Sequence, residues 1–295
     1  MRGQAALRLR GLTPLRIAAR RAEARGRATW EQRPEKRERA LATMDAIVGG
    51  TARAGDLEML ARRHVIETET YETAFWRPWR DPAIDAISSA RLRAALARDR
   101  GVLLSTCHLG PFFLTMALIA SLGRTPYAVV APWFFEQPGE DEWARRLDRW
   151  WEGISRRGER VVSSVGSFPV LRALLEQGEI VYLFFDMPGS RETRFLGKPV
   201  MLATGSARLA IEADAQILPI RARREGHRVW ADVAEPLDPR DFADAEELHD
   251  ALAAVHQRWI LETPESLEDP RRPGSWEEAA TARGWARPQP PPAAS

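Results

Sequence analysis

Two stretches of this chain carry residue types suited to chemistry. In the first, the apolar run Val102, Leu103, Leu104 is followed by Ser105 to Cys107 and then by His108, Leu109, Gly110 and Pro111. A histidine lifted to the carboxyl edge of a sheet sits where open α/β sheets place their sites, and it can act as a general base near neutral pH. The competing reading is a histidine that only closes a strand end. In the second stretch, Asp186 ends the run Ile180-Val-Tyr-Leu-Phe-Phe185, and Gly189, Arg191, Arg194 and Lys198 follow. An acid, a glycine turn and three cations suit an anion-binding loop, although such a stretch also fits a solvated charged loop.

The elements that must position these residues follow from the hydrophobic pattern. Gly101 to Cys107 reads as a buried strand, and Pro111 opens an apolar segment that runs without a charge to Leu122, a helix with proline in its first turn. Helices are expected over 37–49, 56–74, 85–99, 143–151, 168–177, 203–213 and 244–261, with His64 on the inner face of the second as a core or pocket-wall residue. Strands are expected over 126–131, 160–163, 180–185, 215–221 and 228–233, and turns at 138–141 and 225–226, with a loop marked by Trp76, Pro78, Trp79 and Pro82. Strands alternating with helices argue for an α/β fold with a central, mostly parallel sheet flanked by helices.

Composition narrows the class. Hydrophobic content of 44% and charged content of 28% are those of an ordinary globular protein with enough apolar residues for a core. The net charge is only +2, which argues against a nucleic-acid protein despite the many arginines, and no recognition motif for RNA or DNA is present. The single cysteine, Cys107, excludes an internal disulfide and a thiolate metal cluster, and the histidines show no ligand spacing. Cys107 and His108 are neighbours along an extended chain, so their side chains diverge and do not form a nucleophile–base pair. No run reaches the length needed to span a bilayer, and no secretory signal is visible, so the expected location is cytoplasmic.

Residues 1–36 read as a basic arm or helix. Within residues 1–27, Arg2, Arg8, Arg10, Arg16, Arg20, Arg21, Arg25 and Arg27 stand against one acid, Glu23, and Leu7, Leu9, Leu12, Leu15 and Ile17 are loosely spaced on one side. Such a segment can lie on anionic lipid at the inner face of a membrane. A single domain is expected over 37–287, followed by a Pro/Ala-rich tail over 288–295.

Taken together, His108-Leu-Gly-Pro-Phe112, Leu183-Phe-Phe-Asp-Met-Pro-Gly189, Arg194-Phe-Leu-Gly-Lys-Pro-Val-Met-Leu-Ala-Thr-Gly-Ser-Ala-Arg-Leu-Ala210 and Ile217-Leu-Pro-Ile-Arg221 resemble the lipid A late acyltransferase family. That family includes the phosphatidylinositol mannoside acyltransferases and belongs to the glycerol-phosphate acyltransferase superfamily. The resemblance runs over about residues 37–276 and takes in Thr263-Pro-Glu-Ser. It implies a glycerol-phosphate-acyltransferase-like fold and acyl transfer from a thioester donor.

The family motif places an acid five residues after the histidine. Here His108, Leu109 and Gly110 match, but Pro111, Phe112 and Phe113 replace the usual Asn, Trp and acid. In the family's mechanism that carboxylate orients the imidazole and stabilises its charged form, and losing such an acid can cost several orders of magnitude in rate. Three readings stay open. Another acid, such as Asp186, Glu67 or Glu69, reaches His108 in space; the acceptor is an amine or hydroxylamine that needs a weaker base; or the chain is a catalytically inactive relative that binds lipid or an acyl carrier.

The resemblance then implies His108 as base and places Asp186 in the acceptor- or phosphate-binding loop, while Asp186 is also the candidate replacement acid. Gly110 leaves room for the donor carbonyl, Phe112, Phe113 and Met116 line an acyl groove, and Gly189, Arg191 and Arg194 bind the acceptor. The donor would be acyl-coenzyme A or an acyl carrier protein, with aminoacyl-tRNA permitted but not argued for by the arginine-rich start. The family's membrane anchor is not apparent, which together with the altered motif points to a soluble acceptor from specialised metabolism and away from bulk membrane lipid.

Overall fold

The computed structural model describes residues 12–75, 80–97, 99–130 and 160–267. The turn expected at 138–141, the helix expected at 143–151 and the tail at 288–295 lie outside those residues, as do residues 76–79 of the expected loop. Three helices come first: α1 (Leu15–Gln32), α2 (Pro34–Val48) and α3 (Leu57–Phe75). Strand β1 (Ala83–Ile84) and helix α4 (Ala86–Leu96) lead into β2 (Val102–Thr106) and α5 (Phe113–Ser121). Next come β3 (Tyr127–Val130), β4 (Arg160–Ser163), α6 (Phe168–Glu176) and β5 (Ile180–Phe184). The described chain ends with β6 (Pro188–Phe195), β7 (Lys198–Leu202), α7 (Gly205–Glu212), β8 (Gln216–Glu225), β9 (Arg228–Val233) and α8 (Ala245–Glu262).

Seven strands form one sheet in the order β1-β9-β8-β2-β5-β3-β4. Every pairing is parallel except β8 with β9, which join through a tight turn at Gly226. The fold is therefore α/β with a mostly parallel sheet. β2 lies between β5 and β8 with all five residues buried, which is why it reads as an unbroken apolar run. Its alternate side chains enter different cores. Leu103 joins Val181 and Ile217 under α2, α3, α7 and α8, whereas Val102 and Leu104 join Ile180, Tyr182 and Leu218 under α4 and α5.

Local chemistry sets several element ends. Asp85 caps α4 by accepting from the backbone N–H groups of Ile87 and Ser88 at 2.8 and 2.9 Å. Asp244 caps α8 in the same way, with Glu246 and Glu247 adding negative charge at the first turn. Each such cap contributes on the order of 1 kcal/mol.

Two segments differ from the sequence-based expectation. The stretch Asp186–Pro199, expected as a loop, forms most of an antiparallel hairpin of β6 and β7. Its turn is Leu196 and Gly197, both with positive φ (53° and 76°), the geometry that matches strand twist in a two-residue hairpin. Leucine is not a usual residue there, and the charged outer face of β6 hid the inward alternation of Thr193 and Phe195. The N-terminal segment also differs. α1 packs on α3 through Ala19, Ala22, Gly26 and Trp30, while Leu12 and Ile17, expected on an apolar face, are exposed. Small residues let the two helix backbones approach, since a Cβ on Gly26 would stand 2.6 Å from the Ile66 Cα.

Candidate active site

The site grows from the parallel register of β2 and β5. That register pairs Thr106 with Phe184, so moving two residues further along each strand brings His108 beside Asp186. His108 Nδ1 and Asp186 Oδ1 are 2.9 Å apart, and the His108 backbone N–H donates to Asp186 Oδ2 at 3.1 Å. The Asp186 side chain is 4% exposed and that of His108 is 13% exposed. An ionised carboxylate only accepts hydrogen bonds, so it places the imidazole proton on Nδ1 and leaves the Nε2 lone pair as the basic position.

Aromatic rings enclose the imidazole. Phe184 stacks on it with centroids 4.0 Å apart and planes 17° apart, and Phe112 meets it edge-on at 5.1 Å. Behind Phe112, Thr115 Oγ1 donates to the Phe112 carbonyl at 2.6 Å, and Tyr182 Oη lies 2.8 Å from that Thr115 oxygen. Burial pushes the Tyr182 hydroxyl pKa up, so it stays neutral and satisfied within the core. On the opposite face of β2, Ser105 Oγ lies 2.9 Å from His256 Nε2, and the His256 ring stacks on Phe185. Burial lowers the His256 pKa to about 3, so this imidazole is uncharged at neutral pH.

Gly110 is required where it stands. Its φ is +60°, and an added Cβ would lie 2.4 Å from the Ala222 carbonyl oxygen. Its N–H donates to the Ser266 carbonyl at 2.8 Å, and Leu109 bridges to Leu267. The turn carrying His108 is therefore clamped between β8 and the short 3-10 turn Pro264–Ser266 that follows α8.

The three expected groove residues occupy the core. Phe113, where the family pattern has its acid, is 1% exposed and packs edge-on against Tyr71 at 5.9 Å. Phe112 and Met116 are 8% and 2% exposed in the same cluster. A cavity of about 300 Å³ lies instead on the side of the turn lined by Gly110, Pro111 and Leu114. Tyr71, Val229 and His64 contribute to its wall, and His108 does not. The spacing Pro111 to Leu114 is one helical turn, a signal legible in the sequence, whereas the contributions of α3 and β9 are not.

His64 Nδ1 lies 2.9 Å from the Glu265 carbonyl oxygen, and burial lowers the His64 pKa. Burial also raises the Glu265 carboxyl pKa, and its Oε2 has no hydrogen-bond partner among the described residues. Glu67 and Glu69, the other candidate acids, are held elsewhere: Glu67 by Arg224, including a 3.0 Å contact, and Glu69 by Arg25 at 3.2 Å.

The remaining predicted binding residues lie on β6. Gly189 permits close approach to β7, since a Cβ there would be 2.3 Å from the Ala203 backbone. Arg191 is held by Glu246 and, at 3.2 Å, by Asp250 of α8. Arg194 is exposed and pairs with no carboxylate among the described residues. Among those residues no group of three or more His, Cys, Asp or Glu side chains could hold a metal ion. No helix of the described residues is long and apolar enough to cross a membrane.

No curated protein matches the chain. Among solved structures, it is similar to the 1-acyl-sn-glycerophosphate (LPA) acyltransferase PlsC from Thermotoga maritima, with a TM-score of 0.40 and 19% identity over 68% of this chain and 81% of that one. Residues 3–267 match the family described as bacterial lipid A biosynthesis acyltransferase. With most of its length matched, the chain belongs to that acyltransferase family and is an enzyme of acyl transfer, working on an acyl donor and a lipid-like acceptor.

Proposed function

We propose that the protein transfers an acyl group from a thioester donor, on coenzyme A or an acyl carrier protein, to an acceptor hydroxyl or amine, with His108 and Asp186 as the catalytic pair. The contact between these two side chains carries the reading. His108 Nε2 takes the acceptor proton as the acceptor oxygen or nitrogen attacks the thioester carbonyl carbon. The resulting imidazolium is stabilised by Asp186 through Nδ1–H. Collapse of the tetrahedral intermediate breaks the C–S bond, and the departing thiolate takes the proton back from Nε2. Protons and charge balance, and Asp186 stays ionised throughout.

Asp186 supplies a carboxylate to the imidazole, so Phe113 does not leave His108 without one. The need for an unusually strong nucleophile is thereby removed, and a hydroxyl on a lipid-like acceptor is the leading reading. A soluble acceptor from specialised metabolism, hydroxyl or amine, is the second. The apolar cavity beside Gly110 and Leu114 offers the acyl chain a place, and the exposed Arg194 on β6 offers an anionic acceptor a partner. The exposed Arg16, Arg20, Arg21 and Ile17 of α1 suit contact with anionic lipid at the inner face of the cytoplasmic membrane.

The test is a panel of acyl-coenzyme A and acyl-carrier donors against hydroxyl and amine acceptors, with wild type beside His108→Ala. Turnover that vanishes in the variant supports the assignment, and the preferred acceptor identifies the substrate class. Equal background in both proteins, with donor still bound, sinks it and leaves a lipid- or carrier-binding relative.

A further inference from the structure

Residues 182, 184 and 186 follow one another at the two-residue spacing of an extended strand. Asp186 reaches the imidazole edge, Phe184 lies flat on the ring, and Tyr182 meets Phe184 edge-on with centroids 5.7 Å apart. Phe112 closes the arrangement, standing at 89° to Phe184 with centroids 5.1 Å apart. The backbone of Phe112 is fixed in turn, because Thr115 and Tyr182 hydroxyls both donate to its carbonyl, at 2.6 and 3.2 Å.

We infer that Phe184 is a positioning residue for acyl transfer. Its ring holds the His108 imidazole in the plane that meets Asp186, and its π face stabilises the imidazolium formed when Nε2 takes the acceptor proton. An imidazole joined to its backbone by two rotatable bonds and anchored at one nitrogen still swings about the Nδ1 contact. A ring stacked at 4.0 Å removes that swing and fixes where Nε2 points. A cation over an aromatic face is attracted by the ring quadrupole, and more so where water is excluded, as beside the nearly buried Asp186. The inference rests on His108 acting as the base.

The test compares Phe184→Leu, which removes the ring, with Phe184→Tyr, which keeps it, and adds Phe184→Met in case the leucine variant does not fold. Steady-state kinetics across pH are paired with an NMR titration of the His108 ring, whose signal is assigned by its loss in His108→Ala. The titratable and charged groups on the elements packed around the imidazole include Asp186, Cys107, Tyr182 and His256, Glu265 on the turn that clamps Gly110, and Arg221, Arg223, Arg224 and Glu225 on β8, so reading the ring itself separates its titration from theirs.

Without the ring, kcat is expected to fall about ten- to hundred-fold with KM little changed. The His108 pKa is expected to fall by about half a unit. The tyrosine variant is expected to restore both. An unmoved His108 titration and kcat in Phe184→Leu or Phe184→Met would overturn the inference, and so would equal losses in the leucine and tyrosine variants. Turnover that survives His108→Ala would remove the base assignment itself, a result distinct from either.

Discussion

Asp186 engages His108 twice: one carboxylate oxygen lies 2.9 Å from the imidazole Nδ1, and the other accepts from the His108 backbone N–H at 3.1 Å. The side-chain contact fixes the tautomer, and the backbone contact ties the carboxylate to the turn that carries the imidazole. The two strand ends are thus joined at the proposed base, through one side-chain and one backbone contact.

His108→Ala is expected to lower kcat by about a thousand-fold or more, since it removes the proposed base outright. Asp186→Asn keeps the shape but not the charge, and a loss of roughly a hundred- to ten-thousand-fold in kcat is expected. Steady-state kinetics with donor binding measured in parallel decide the matter. An Asp186→Asn enzyme with full activity would show that the contact serves only the fold.

Gly110→Ala places a side chain at a positive φ and against the Ala222 carbonyl. The left-handed conformation alone costs on the order of 1–2 kcal/mol, and the overlap adds to it. Chemical denaturation is expected to show a lower midpoint, and activity is expected to drop because the same turn carries His108. Unchanged stability would mean that β8 gives way at this position.

His256 makes stability depend on acid in a defined window. Its folded pKa, lowered by burial to about 3, lies below the ordinary 6.5 of an unfolded histidine. Between those values the unfolded chain holds a proton that the folded chain lacks, so stability rises with pH across the window and is lost as pH falls through it. His249, lowered mainly by burial to about 4, acts in the same direction. His256→Gln is expected to flatten the dependence near pH 5 by one proton, about 1.4 kcal/mol per pH unit. Parallel slopes for the two proteins would indicate that His256 is not buried in its neutral form.

The two arginines of β6 are expected to separate. Arg191 is already matched by Glu246 and Asp250, so Arg191→Ala changes mainly stability, by about 1 kcal/mol or less for a partly exposed pair. Arg194→Ala is expected to raise KM for a phosphate-bearing acceptor several-fold while leaving kcat and stability in place. If KM holds steady in Arg194→Ala, the hairpin has no part in acceptor binding.

Much of the frame is written in the chain itself. The apolar runs Val102–Leu104 and Ile180–Phe185 specify strands buried on both faces, Asp85 and Asp244 stop solvent-facing loops and start helices, and the histidine before Gly110 marks the site. These are local effects of side-chain burial and backbone hydrogen bonding, so the order of residues is enough to fix them. The hairpin of β6 and β7 was harder to see, because Leu196 holds a positive φ that ordinarily calls for glycine or asparagine.

The partnership of His108 with Asp186, 78 positions apart, belongs to the tertiary structure. It follows from a parallel register set by how β2 and β5 share their two cores, and slipping that register by a single residue would turn one side chain to the opposite face. The same packing, and not the sequence interval, buries Phe113 where an acid was expected and turns Pro111 and Leu114 toward the cavity. Residue types and periodicity determined the elements and singled out the candidate histidine; only the assembled sheet decided which carboxylate, of several within the chain, stands beside it.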